Sequence, residues 1–82
     1  MTLLDFQVLT MQEQINVLYQ QGVYIGKRKA EKLTVLILQL DSFYVEVFYK
    51  KYRIEITRLR CSASTKMLDP YLAQIEVEYQ VS

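Results

Sequence analysis

The sequence predicts an α+β domain: an N-terminal helix packed on a four-stranded antiparallel β-meander, with a short C-terminal helix. Three observations carry this prediction. Apolar residues recur at spacings of three and four over the first 21 residues. Val, Ile, Tyr, Phe and Thr then dominate residues 23–61, in runs separated by short breaks. Finally, Asp69-Pro70 has the form of a helix start. The chain has 82 residues, 51% of them apolar, with two glycines and one proline, which fits one domain containing little loop.

In the first segment, Leu4, Val8, Met11, Ile15 and Leu18 form one apolar stripe of helical period. Thr10 followed by Glu13 is a capping-box pattern. It splits the segment into a short piece near residues 3–8 and a main helix near 11–21, with one continuous helix as the alternative. Gly22 is the expected stop, because glycine tolerates the left-handed backbone that ends many helices.

Strands are expected near 23–29, 32–40, 43–49 and 52–61, since β-branched and aromatic side chains suit a pleated, half-buried surface. The breaks at Ala30-Glu31, Asp41-Ser42 and Lys50-Lys51 are short enough to make consecutive strands antiparallel neighbours. Two-residue loops would oppose Leu40 to Phe43, Leu38 to Val45, Leu36 to Val47, Val47 to Ile54, Val45 to Ile56, Ile25 to Leu36 and Val23 to Leu38. One face is then apolar throughout, and the helix stripe is its natural cover. The other face carries Val35, Ile37, Tyr44 and Phe48 among charged residues, too apolar to be bare. In the last segment, Asp69 would cap a helix near 70–76 with Pro70 in its first turn. Residues 77–82 suit helix or strand equally.

Function is bounded mainly by what is missing. There is no histidine, and Cys61 is the only cysteine, so the commonest general base, the Ser-His and Cys-His pairs and zinc-ligand clusters lack their parts. No catalytic residue, cofactor or metal is expected. Cys61 beside Arg58 and Arg60 reads as a small residue at a strand end rather than a nucleophile without a base. Glu46 and Glu55 would face each other across strands, as paired carboxylates do in glycosidases, but an open sheet gives them no cleft. Gly22 to Lys27 fails the phosphate-loop pattern in spacing, and it follows a helix rather than a strand.

Charge is segregated. Residues 1–26 hold Asp5 and Glu13 with no Lys or Arg, all ten basic residues lie in 27–66, and Asp69, Glu76 and Glu78 follow. The longest apolar run, Val35 to Leu38, is far short of a membrane span of about 20 residues. With no basic N-terminal region, a cytoplasmic location is expected.

The leading expectation is a non-catalytic protein-interaction module that forms a homodimer through the second sheet face, with Val35, Ile37, Tyr44 and Phe48 as anchors. Cover by the chain's own Met67, Leu68, Tyr71 and Leu72 is the competing use of that face. A second expectation is nucleic-acid binding through Lys27, Arg28, Lys50, Lys51 and Arg53, with Tyr49 and Tyr52 nearby for stacking. A third is a small ligand-binding cup between helix and sheet.

Overall fold

The computed structural model describes residues 1–51 and 55–72. Two helices, α1 (Leu3–Gln7) and α2 (Met11–Gln21), precede four strands: β1 (Val23–Ala30), β2 (Leu33–Leu40), β3 (Phe43–Lys51) and β4 (Glu55–Ser62). A 3-10 turn (Thr65–Leu68) follows and runs directly into a helical turn over residues 69–72. The strands form one antiparallel sheet in the order β1-β2-β3-β4.

Both helices start with a full capping box. Thr10 Oγ1 accepts the Glu13 N–H at 3.2 Å, and the Glu13 carboxylate accepts the Thr10 N–H at 2.9 Å. Thr2 and Asp5 repeat the arrangement in α1, a pair the sequence reading passes over. Two boxes make two helices, and the periodic stripe does not survive the break between them. Phe6 and Leu18 are buried, whereas Leu4 is 73% and Val8 82% exposed. Residues 8–10 leave the helical path, so spacings counted across them no longer define one face. Gln14 Nε2 donates to the Phe6 carbonyl at 2.9 Å and fixes the angle between the two pieces.

Gly22 ends α2 without a left-handed backbone; its φ is −70° and ψ is 142°. Glycine is needed there for closeness instead. Its N–H donates to the Leu18 carbonyl, and an added Cβ would lie 2.7 Å from that oxygen.

The β2-β3 pairing is the expected one, with Leu40 opposite Phe43, Leu38 opposite Val45 and Leu36 opposite Val47. The outer strands depart from it. In β1 the register slips between Tyr24 and Gly26, so Tyr24 lies opposite Leu38 and Lys27 opposite Leu36. Ile25 becomes the extra residue of a bulge and packs with Ile37, on the second face. In β4 the pairing starts at Lys51 and Glu55 and places Val47 opposite Leu59 and Val45 opposite Cys61. β3 therefore runs two residues longer than the short Lys50-Lys51 turn allowed, and Ile56 moves opposite Tyr49. The proposed Val47–Ile54 pair involves Ile54, which lies outside the described residues. The irregularity near Tyr49 is held by Thr57 Oγ1, which donates to the Phe48 carbonyl at 3.1 Å. The first two hairpins turn through Glu31 (φ 57°) and Asp41 (φ 54°), left-handed positions that cost a non-glycine residue about 1–2 kcal/mol each.

The main core lies between helices and sheet. Phe6, Leu18, Leu40, Phe43, Val45 and Val47 are its buried members, and α1 packs over β4 while α2 packs over β2. A second, smaller core on the opposite face joins Ile37 to Met67 and Tyr71 of the C-terminal turn. Ser64 caps that turn by accepting the Lys66 N–H at 3.2 Å. Asp69, the expected cap, has helical dihedrals and sits inside the turn. The rest of the expected 70–76 helix and residues 77–82 lie outside the described residues.

Candidate binding groove and the covered second face

Two places concentrate chemistry, one on each face of the sheet.

On the second face, three of the four expected interface anchors are buried within the chain itself. Val35 and Ile37 have no exposed surface, Phe48 is 3% exposed, and Tyr44 is half-buried. Ile37 lies under Met67 and Tyr71, and the Arg58 guanidinium stands 4.3 Å over the Phe48 ring. In this conformation Val35, Ile37 and Phe48 present almost no surface to a second molecule. The Tyr71 ring lies over Gly26 of β1, 3.6 Å from where a Cβ would be, a spacing at which a Cβ would make ordinary contact.

Beneath Tyr71 is a buried charge. Glu46 is 2% exposed in the middle of β3, and its Oε2 accepts from the Tyr71 hydroxyl at 2.6 Å and from Arg28 Nη2 at 3.0 Å. Arg28 Nε also donates to the Tyr71 hydroxyl at 3.3 Å, and Arg60 Nε approaches Glu46 Oε1 at 3.9 Å. The expected Glu46–Glu55 pair does not exist; Glu46 lies opposite Arg60, and Glu55 opposite Lys51. A carboxylate this buried is tolerable only when paired and hydrogen-bonded. Here Arg28 of β1 and Tyr71 of the C-terminal turn hydrogen-bond it, Arg60 of β4 stands near, and the network pins the turn to the sheet. The sequence signal for it was a lone acid inside the apolar run Phe43 to Phe48.

Burial pushes the Tyr71 hydroxyl's pKa well above its ordinary value, and its hydrogen bond to Glu46 adds to the rise. Burial alone would lower the Arg28 pKa, but its bonds to Glu46 and Tyr71 leave it raised. The Tyr71 shift has a definite sign in stability. The unfolded phenol ionises near pH 10 while the folded one stays neutral. Its contribution is thus complete below about pH 10 and is lost as pH rises toward the folded value. Tyr71→Phe should cost about 1.5–3 kcal/mol at neutral pH, the worth of a hydrogen bond to a charged group. The gap to wild type should shrink as pH rises past 10, followed by urea midpoints in a pH series. A gap independent of pH would contradict this.

On the helix face, α2 does not fill the space above the sheet. An open groove of about 290 Å³ runs between Ile15, Leu18 and Tyr19 of α2 and the sheet below. Leu36 and Leu38 of β2 form one part of its floor, and Val47, Tyr49 and Ile56 the other. Apart from the two tyrosine hydroxyls, these side chains are apolar. Tyr19 is 80% exposed at its rim. Tyr24 is 58% exposed and pairs with Leu38, so its side chain stands on the same face beside the groove. Leu38 lay in the expected apolar face, but a concavity cannot be read from a pattern that only assigns faces.

Among the described residues, the basic side chains expected to bind nucleic acid do not share one face. Lys27 and Lys50 are exposed, Lys27 on the helix face. Arg28 faces the other way and is engaged with Glu46. Lys51 ends β3, and Arg53 lies outside the described residues. Cys61 is a half-buried free thiol packed against the main core.

Fold and sites together define an α+β domain with a helix pair on one face of an antiparallel meander and a C-terminal turn on the other. Among the described residues, no helix is long and apolar enough to cross a membrane. Comparison of the chain with protein-family models, curated proteins and solved structures gives no match.

Proposed function

We propose that this chain is a non-catalytic protein-interaction module that self-associates, and that its contact surface is the groove between α2 and the sheet. The observation that carries the reading is an apolar concavity lined by exposed Tyr19, with exposed Tyr24 on the same sheet face opposite the floor residue Leu38. Aromatic anchors around a desolvated pocket are where binding energy concentrates in protein interfaces. The absence of histidine supports a role without acid–base chemistry. A domain of this size also gains from association, because it buries a small share of its own surface.

Light scattering after size exclusion, over a concentration series, tests the reading. The wild-type chain should run as a dimer. Tyr19→Ser combined with Tyr24→Ser should raise the dissociation constant at least about tenfold, equivalent to about 1.4 kcal/mol or more. Both side chains are exposed, so the far-ultraviolet circular dichroism should not change. A wild-type chain that stays monomeric at millimolar concentration would sink self-association. A double variant that dimerises normally would sink the choice of surface.

A further inference from the structure

We infer that the occupant of the groove is the outer side of α1 from a second copy of the chain, exchanged reciprocally about a two-fold axis. The inference rests on the groove being the self-association surface.

Within its own chain, α1 is held by Phe6, which is fully buried with its ring centroid 5.5 Å from that of Phe43. The opposite side of this short helix presents Leu4 and Val8, four residues apart, at 73% and 82% exposure. Met11, at the start of α2, is 41% exposed and continues the apolar surface. The same chain thus has an apolar ridge without a cover and an apolar groove without a filling among the described residues. Because α1 is anchored over β4, its ridge faces away from its own sheet, and a second molecule must bring ridge and groove together.

Charge selects the same pairing. Residues 1–26 carry Asp5 and Glu13 and no Lys or Arg. The groove's β1 side carries the opposite sign. Lys27 lies opposite Leu36, a floor residue, and Lys29 lies opposite Thr34, in the same phase of the pleat. Both lysines are exposed on the helix face at the sheet edge. A helix whose one charged side chain, Asp5, is acidic gains steering and register on entering an apolar groove with a basic rim. A volume of about 290 Å³ is at the low end of small-molecule pockets and suits a few aliphatic side chains. Two-fold symmetry makes the contact twice, so each copy both gives and receives a ridge.

The experiment uses two double variants of the full chain. Leu4→Ser with Val8→Ser removes the ridge; Tyr19→Ser with Tyr24→Ser removes the groove rim. Each alone should dimerise at least about tenfold more weakly than wild type. Mixed at equal concentration, the two should form a heterodimer where neither forms a homodimer, because one intact ridge then meets one intact groove. If the ridge variant dimerises like wild type while the rim variant does not, the groove receives some other part of the second copy, and this inference falls while the proposed function stands. If the two variants fail to complement each other, the reciprocal pairing is overturned. A wild-type monomer overturns both.

Discussion

Phe43→Ala is expected to remove a large part of the folding stability of this chain. Phe43 has no exposed surface, and its ring meets that of Phe6 at a tilt of 53°. It opens β3 opposite Leu40 and sits where α1 reaches the sheet. Truncating a buried phenylalanine costs about 3–5 kcal/mol, because the transfer energy is lost and the cavity collapses only in part. A chain of this length holds about 4–12 kcal/mol in total. The variant should therefore unfold at far lower urea than wild type or be unfolded without it, followed by circular dichroism. Phe43→Leu, which keeps most of the volume, should lie in between. A loss below about 1.5 kcal/mol for the alanine variant would mean that α1 is not fastened through this contact.

Arg28→Met should have the second largest effect, through charge rather than volume. It leaves Glu46 buried with the Tyr71 hydroxyl as its close donor and Arg60 at 3.9 Å. Breaking a buried pair from one side costs about 3–5 kcal/mol, and the 22% exposure of Arg28 reduces the expectation to about 2–4 kcal/mol. The sharper result is the reversal. The triple variant Arg28→Met, Glu46→Leu, Tyr71→Phe removes charge, cation and hydroxyl together and should recover most of the loss, because a packed apolar cluster competes well with an ion pair. Urea unfolding of the single, double and triple variants forms the cycle that isolates the coupling. A single variant within about 0.5 kcal/mol of wild type would show the pair to be idle.

Much of the fold was legible in the sequence because it depends on local patterns. The Thr10–Glu13 box, the alternation in β2 and β3 and the Asp41-Ser42 break each specify geometry within a few residues, and each reappears as expected. What the sequence concealed depends on register. The odd shift of β4 put Leu59 and Cys61 on the helix face and turned Arg58 and Arg60 to the other. No pattern in residues 52–62 marks that choice, since Ile54 and Ile56 alternate as well as Leu59 and Cys61. The site was less legible still. Val35, Ile37 and Phe48 were correctly read as needing a cover, but composition alone could not say which molecule supplies it. The groove arises from how far α2 stands off the sheet, a distance that no periodicity encodes.

The bulge at Ile25 has one more consequence. It works as a frame shift in the side-chain code of β1: the strand keeps its neighbour but changes which residues share a side. With Gly26 opposite Ile37, Arg28 falls opposite Val35 and reaches Glu46. Had the pairing of Val23 and Tyr24 simply continued, Lys27 would have come opposite Val35 instead. Glu46 would then meet a single ammonium, without the planar fork that binds carboxylate and tyrosine together. One surplus residue on an edge strand, where the backbone has the slack to hold it, thus decides which cation the middle of the sheet receives.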